Sequence, residues 1–161
     1  MISMRFSHFY RHILPATMIA LLLPCGAAYA DFTQIQPFHF GRWVLTNNDA
    51  EHNITVPTSG MHTNSSSFIV LDDPQPAIYE YEGIPTGITP TVTTSQPDIV
   101  LQSPGQPDLV LDNFTFHATA ADINQISTIT IGGRLSTSGD GAPYGNHSYT
   151  GTFLLEIEYD L

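Results

Sequence analysis

Within residues 31–161, five histidines and a few carboxylates are the side chains best suited to metal binding or acid–base chemistry. No two of these histidines lie three or four positions apart, so the spacing of a helical or hairpin ligand pair is missing. Asp49 and Glu51 lie beside His52, and Asp72-Asp73 precedes Pro74, which is typical of solvated turns. The histidines are His39, His52, His62, His117 and His147.

The segment Ser138-Gly139-Asp140-Gly141 looks superficially like a calcium loop. A loop that binds a hard cation places several oxygen ligands at fixed spacing, and this segment carries a single carboxylate. Gly139 and Gly141 supply turn geometry. The sequence therefore predicts no metal site, and no cofactor is expected.

Trp43, Tyr79 and Tyr81 offer a different chemistry, because aromatic faces can stack on sugar rings. Aromatic side chains in strands are more often core or cross-strand packing partners. Packing is thus the favoured interpretation of these three residues, and a sugar platform is the alternative.

Templates for catalysis are missing from the chain. It has no GxSxG, HExxH, Walker or GxGxxG motif. The only Cys is Cys25, and there is no Lys, so residues 31–161 contain neither a thiol nucleophile nor a Schiff-base amine. The residues of a Ser-His-Asp triad can lie far apart in the sequence, so the sequence leaves the question of a triad open. A secreted hydrolase is therefore a third hypothesis. The prediction is a protein that is not an enzyme and has no catalytic residues.

Residues 1–30 have the pattern of a secretory signal peptide. Arg5 and Arg11 precede a short apolar run from Ile13 to Leu23, and Ala28-Tyr29-Ala30 supplies a small-x-small cleavage site. The run is too short for a membrane span, so an integral membrane protein is not expected. The predicted location is the periplasm, the cell surface or the extracellular space.

The net charge excludes one class of partner. The 161-residue chain has a formal net charge of −11. Without the leader, two arginines face 15 acidic residues, a net charge of −13. Nucleic-acid binding needs clustered cations, so no nucleic-acid partner is expected.

The elements that must position all these residues are predicted to be β-strands. Ten prolines between Pro37 and Pro143 exclude long helices, and the best local helix is one or two turns within 118–126. The near-repeat of QPDIVL (96–101) and QPDLVL (106–111) predicts a hairpin around Ser103-Pro104-Gly105. The other predicted strands are 38–45 with a bulge after Gly41, 53–56, 67–71, 77–81, 89–94, 114–116, 129–131 and 149–159.

The last of these strands has the clearest pattern. From Tyr149 to Tyr159, aromatic, aliphatic and glycine residues alternate with mainly polar ones, so one face should pack on a core. Eight or nine strands after the leader predict an all-β fold, an immunoglobulin-like antiparallel two-sheet sandwich in a single domain over 31–161. A closed barrel is the alternative.

The segment from Gly132 to Tyr159 resembles bacterial secreted proteins of domain-of-unknown-function family 4402. The shared features are a Gly-Gly-x-Leu strand, a variable loop and Tyr-x-Gly-Thr-Phe followed by alternating hydrophobic residues. The resemblance extends over most of 38–159, although Glu156 and Glu158 on the outer face depart from it. It implies a pilin-like immunoglobulin sandwich and no catalytic residues.

Besides the hydrolase, two functional hypotheses follow. The first is an exported, non-enzymatic surface protein, a pilin-like or adhesive subunit that joins copies of itself or other surface subunits by strand addition. Its candidate donor segment is 31–40, with Phe32, Ile35, Phe38 and Phe40. The alternative is a periplasmic or secreted binding module for a carbohydrate or calcium.

Overall fold

The computed structural model describes residues 5–6 and 31–160. The described residues contain strands and no helix, which confirms the predicted all-β fold. The predicted leader and its cleavage site lie outside the described residues, apart from 5–6. The strands are β1 (Arg5–Phe6), β2 (Phe32–Gln36), β3 (Arg42–Leu45), β4 (Asn53–Val56), β5 (Thr63–Asn64), β6 (Phe68–Asp72), β7 (Ala77–Glu82), β8 (Thr91–Thr93), β9 (Asp98–Leu101), β10 (Leu109–Ala118), β11 (Ile126–Ser136) and β12 (Leu154–Glu158).

A seven-stranded antiparallel sheet forms the larger layer. Its main path runs β2-β7-β11-β10-β9. Beside this path, β4 pairs with the C-terminal part of β11, and β5 pairs with β4. The predicted 96–111 hairpin is confirmed, because β9 and β10 pair from Leu109↔Leu101 to Asp112↔Asp98. The segment 118–126, the best helix candidate, is instead the turn that joins β10 to β11.

The long strand β11 changes partner at Gly132-Gly133. Residues up to Ile131 pair with β7, whereas those from Gly133 onward pair with β4. On its other side β11 pairs with β10, whose register shifts between Asp112 and Thr115. A Cβ at Gly132 would overlap the backbone oxygen of Val56 and lie 2.6 Å from Thr115 Oγ1. Two strands can converge here only because Gly132 has no side chain.

An ion pair lies next to this partner change. Arg134 donates from Nε to Asp112 Oδ1 at 2.9 Å and from Nη2 to Asp112 Oδ2 at 2.7 Å, across the β10–β11 ladder. This bidentate geometry joins the two strands just beyond the register shift. The hydrogen bond and the carboxylate charge raise the pKa of Arg134, so the guanidinium stays charged.

The second layer is divided. β3 pairs with β6, and β8 pairs with β12 in a separate sheet that β1 joins in parallel through Arg5↔Leu154 and Phe6↔Leu155. The core between the layers draws Phe40, Phe68, Val92 and Leu155 from this side. The antiparallel sandwich is confirmed, but its second sheet is not continuous over the described residues.

The C-terminal alternation is confirmed, although the strand is shorter than predicted. Phe153 and Leu155 are buried, while Thr152, Leu154 and Glu156 are exposed. The hydrogen-bonded strand covers only Leu154–Glu158, and the preceding residues make an isolated bridge between Thr150 and Gln102. Next to this bridge, Gly151 lies against the Leu101 side chain, where a Cβ would overlap it.

The predicted bulge after Gly41 is also confirmed. Gly41 has φ +68°, and the β3–β6 register shifts between Arg42 and Trp43. Phe38 and Phe40 are buried as the alternation predicts, but they form no strand, since only His39 bridges to Gln75.

Replacing Gly132 with Ala should lower the free energy of unfolding by about 3 kcal/mol, because the new methyl group would displace the β4 backbone. Chemical denaturation measures the change. The control is Gly60→Ala, where no atom lies within 4 Å and only the φ of +86° opposes a side chain, at about 1 kcal/mol. Equal losses in the two variants would contradict the close-approach explanation.

Candidate functional site

A groove opens between β3 and the loop 144–149. Its volume is about 630 Å³. Its floor is part of the hydrophobic core, and its walls are the residues of β3 and of the loop. This volume falls in the range of ligand and peptide sites on proteins. The floor residues are Phe38, Leu101, Leu109 and Leu135.

Aromatic rings form one wall of the groove. Tyr144 lies between Trp43 and Tyr149, with ring centroids 6.3 Å and 6.2 Å away. The Tyr144 hydroxyl donates to the Asp108 carbonyl at 2.7 Å, and the Tyr149 hydroxyl donates to the Pro107 carbonyl at 2.8 Å. These bonds tie the loop to the start of β10. The wall is therefore built by the fold before any ligand arrives.

The predicted trio of Trp43, Tyr79 and Tyr81 does not come together. Tyr79 and Tyr81 lie in the core, where Tyr79 stacks on Phe32 with centroids 4.5 Å apart. The packing interpretation is confirmed for these two tyrosines. Trp43 contacts Phe68 edge to face at 4.9 Å and lines the groove.

The groove differs in charge from the rest of this acidic chain. Its polar side chains include Arg42, His39 and His147, and none of its described lining residues is an Asp or Glu. At the rim, Arg42 Nε lies 3.1 Å from Asp72 Oδ2, and both side chains are exposed. The Asp72 carboxylate thus offsets the charge of Arg42 at the rim of the groove.

A serine and a histidine approach each other beside the groove. Ser103 Oγ lies 3.5 Å from His147 Nδ1. A nucleophile and its base are expected at about 2.6–3.2 Å, with a third group orienting the base. The 3.5 Å separation is longer than that, so the pair has the geometry of a weak structural contact.

The histidines are dispersed over the described residues. Within 31–160 no group of three or more His, Cys, Asp or Glu side chains comes together. The Nε2 atom of His52 is buried without a hydrogen-bond partner, as is Ser136 Oγ.

The Ser138–Gly141 loop is organised by a residue that sequence reasoning missed, the buried Asn48. Its Nδ2 donates to Asp140 Oδ1 at 3.1 Å and to the Ala142 carbonyl at 2.9 Å, and its Oδ1 accepts from the Gly139 amide at 3.1 Å. The same Asp140 oxygen accepts from the Ala142 amide, and this bond holds the pKa of Asp140 below its usual value. The carboxylate is engaged in shaping the loop.

The sequence contained only a partial signal for this groove. Trp43 was a candidate because of its residue type, and Tyr149 belonged to the C-terminal alternation. Tyr144 and His147 lie in a loop without periodicity, and Arg42 was noted only as a charge. Nothing local in the sequence indicates that these residues meet.

Comparison with known proteins identifies one relation. A family model described as "Domain of unknown function (DUF4402)" matches residues 31–159. No curated protein and no solved structure matches the chain. In the described part of the chain, no helix has the length and apolar character needed to cross a membrane.

The buried Tyr79 predicts an alkaline loss of stability. Burial raises the pKa of its hydroxyl to about 12 from 10.0, so the fold favours the neutral phenol. This preference has no effect on stability below pH 10 and lowers the free energy of unfolding as the pH rises toward 12, by about 2 kcal/mol at pH 12.

Tyr79→Phe should remove that part of the pH dependence, which chemical denaturation at a series of pH values would measure. Tyr159→Phe, at a half-buried site, is the matched control and should retain it. Parallel pH profiles for the wild-type protein and Tyr79→Phe would contradict the assignment.

Proposed function

We propose that this chain, which belongs to the DUF4402 family, is an exported, non-enzymatic surface protein. It acts as a pilin-like or adhesive structural subunit, and the proposal is argued from the strand edges that its fold leaves open. Neighbouring subunits join it non-covalently, by adding a strand to its divided second layer.

The edge of β12 carries this proposal. The backbone amide and carbonyl of Leu154 point to the side of β12 where β8 lies. The amide donates to Gln96 Oε1 at 2.9 Å, and the carbonyl accepts from Thr94 Oγ1 at 2.7 Å. Backbone groups alternate in direction along a strand, so those of Leu155 point to the opposite edge. Among residues 31–160 no strand pairs with that edge.

A short strand of the same chain pairs with this edge. Arg5–Phe6 pairs in parallel with Leu154–Leu155, although it precedes the domain and belongs to the predicted leader. If the leader is removed on export, the edge becomes available. A segment from a neighbouring subunit is then its proposed occupant.

The candidate donor segment 31–40 is already paired and packed within its own subunit. β2 pairs with β7, and Phe38 and Phe40 lie in the core. Using this segment as a donor would therefore require part of the sandwich to open. A donor strand is better sought in a partner subunit than in 31–40 of a folded copy.

Residue chemistry supports non-covalent assembly. Lysine-based isopeptide crosslinks have no substrate, because the chain contains no Lys.

Leu154→Lys should weaken assembly, because a lysine on an edge strand opposes the pairing of a further strand. Leu154 is exposed, so the variant should keep its fold. Sedimentation velocity and electron microscopy of the exported protein would show whether multimers of the wild type are lost. Met61→Lys, at another exposed apolar site, is the control. A wild-type protein that stays monomeric at all concentrations, or equal assembly by both variants, would reject strand addition at β12.

A binding module is the second candidate function, and the aromatic wall of Trp43, Tyr144 and Tyr149 favours it. A carbohydrate that stacks on this wall should raise the melting temperature by several degrees at saturation. A glycan array, followed by melting curves with the best glycans and with calcium, tests this module. No array hits and a shift below about 1 °C would exclude it.

A further inference from the structure

The outward edge of β12 offers few backbone groups for pairing. Strand β12 covers Leu154–Glu158, and its last three residues lie in register with β8. Backbone groups alternate in direction along a strand, so Leu155 and Ile157 are the residues whose amides and carbonyls point away from β8. A strand from a neighbouring subunit therefore has two residues of β12 to bind, and the loss of either one removes half of this edge.

The strand β1, which belongs to the predicted leader, occupies the first of these two positions. Phe6 lies in register with Leu155, and Arg5 lies in register with Leu154. The pairing is parallel, so β1 uses the outward backbone groups of Leu155 that a neighbouring strand would need. Only Ile157 then remains, and one residue does not hold a strand, because the net contribution of a single backbone hydrogen bond to stability is small.

Strand β1 also has an advantage of concentration over a second chain. It belongs to the same chain as the edge it covers, and residues 7–30 are all that lies between Phe6 and Asp31 in the sequence. A connection of this length gives a tethered partner an effective concentration of about 1 mM. A neighbouring subunit at about 1 μM is roughly a thousandfold more dilute, so it competes poorly with β1 for the edge.

We propose that the leader is an intramolecular block on assembly: β1 covers the β12 edge in the uncleaved chain, and removal of the leader opens that edge. This inference rests on the proposed function, because it assigns a regulator to the edge where neighbouring subunits add a strand. Cleavage at the predicted site after Ala30 removes β1 together with the rest of the leader. Assembly thus follows leader removal and does not precede it.

Hydrogen exchange at the Leu155 amide tests the block without depending on assembly. The full chain is refolded with its leader in a non-ionic detergent, at a concentration where sedimentation shows monomers. The same sample is then cleaved by signal peptidase and measured again. We expect the Leu155 amide to exchange faster by about tenfold or more after cleavage, because its partner strand has been removed.

Arg5→Pro in the uncleaved chain should give the same increase in exchange, because proline has no amide hydrogen and interrupts a strand ladder. Arg5→Ala is the matched control, since it removes the same charge and keeps the backbone amide. It should leave the Leu155 amide protected. Equal exchange at Leu155 before and after cleavage, or equal exchange in Arg5→Pro and Arg5→Ala, overturns the proposal.

Sedimentation velocity gives the second measurement, at concentrations where the cleaved protein forms multimers. The uncleaved chain and uncleaved Arg5→Ala should stay monomeric there, whereas uncleaved Arg5→Pro should assemble. Arg5 precedes the domain, so neither substitution alters a residue of the sandwich core. Assembly of the uncleaved chain to the same extent as the cleaved protein contradicts the block.

The outcomes separate the leader block from the proposed function. If the cleaved and uncleaved proteins assemble equally well, the block is overturned while strand addition stands. If the cleaved protein stays monomeric although its Leu155 amide has become open to exchange, strand addition at β12 fails, and with it the regulatory role of the leader. The pairing of β1 with the edge stands in that case.

Discussion

The close approach of β4 to β11 at Gly132 is the constraint on which the rest of this fold depends. β11 is the longest strand, and it can pair with β7 over one half and β4 over the other only where the backbone oxygen of Val56 meets no side chain. The register shift in β10 lies opposite the same point, and the Arg134–Asp112 pair follows directly after it. Because Gly132 has no side chain, β11 can exchange β7 for β4 as its neighbour at the point where the register of β10 shifts.

This change of partner lies beside the groove. Leu135 and Leu109, just beyond it, face the space between β3 and the loop 144–149 and form part of the groove floor. The hydroxyl groups of Tyr144 and Tyr149 tie the loop to the carbonyls of Asp108 and Pro107 beside them. The cavity therefore results from polar anchoring of a loop beside an apolar core. Without a disulfide in 31–161, this packing and anchoring alone stabilise the arrangement.

Sequence reasoning succeeded where a contact is local or periodic. The hairpin around Ser103-Pro104-Gly105, the break at Gly41 and the inward face of 153–157 all follow from turn chemistry and period-2 alternation. It failed where hydrogen bonds between residues far apart in the sequence determine the local structure. Asn48 organises a loop some 90 positions away, and β2 follows no alternation, because its pairing with β7 leaves Thr33, Gln34 and Ile35 exposed.

The sequence by itself determined the fold class, because prolines exclude helices and alternating side chains require half-buried strands. It also excludes isopeptide bonds between two copies of this chain, since the chain has no lysine amine to form them. Only the tertiary structure decided that Tyr79 packs in the core while Trp43 faces a groove. The physical reason is that strand pairing brings together residues far apart in the chain, and its choice of partners is made by close backbone contacts that no local pattern records.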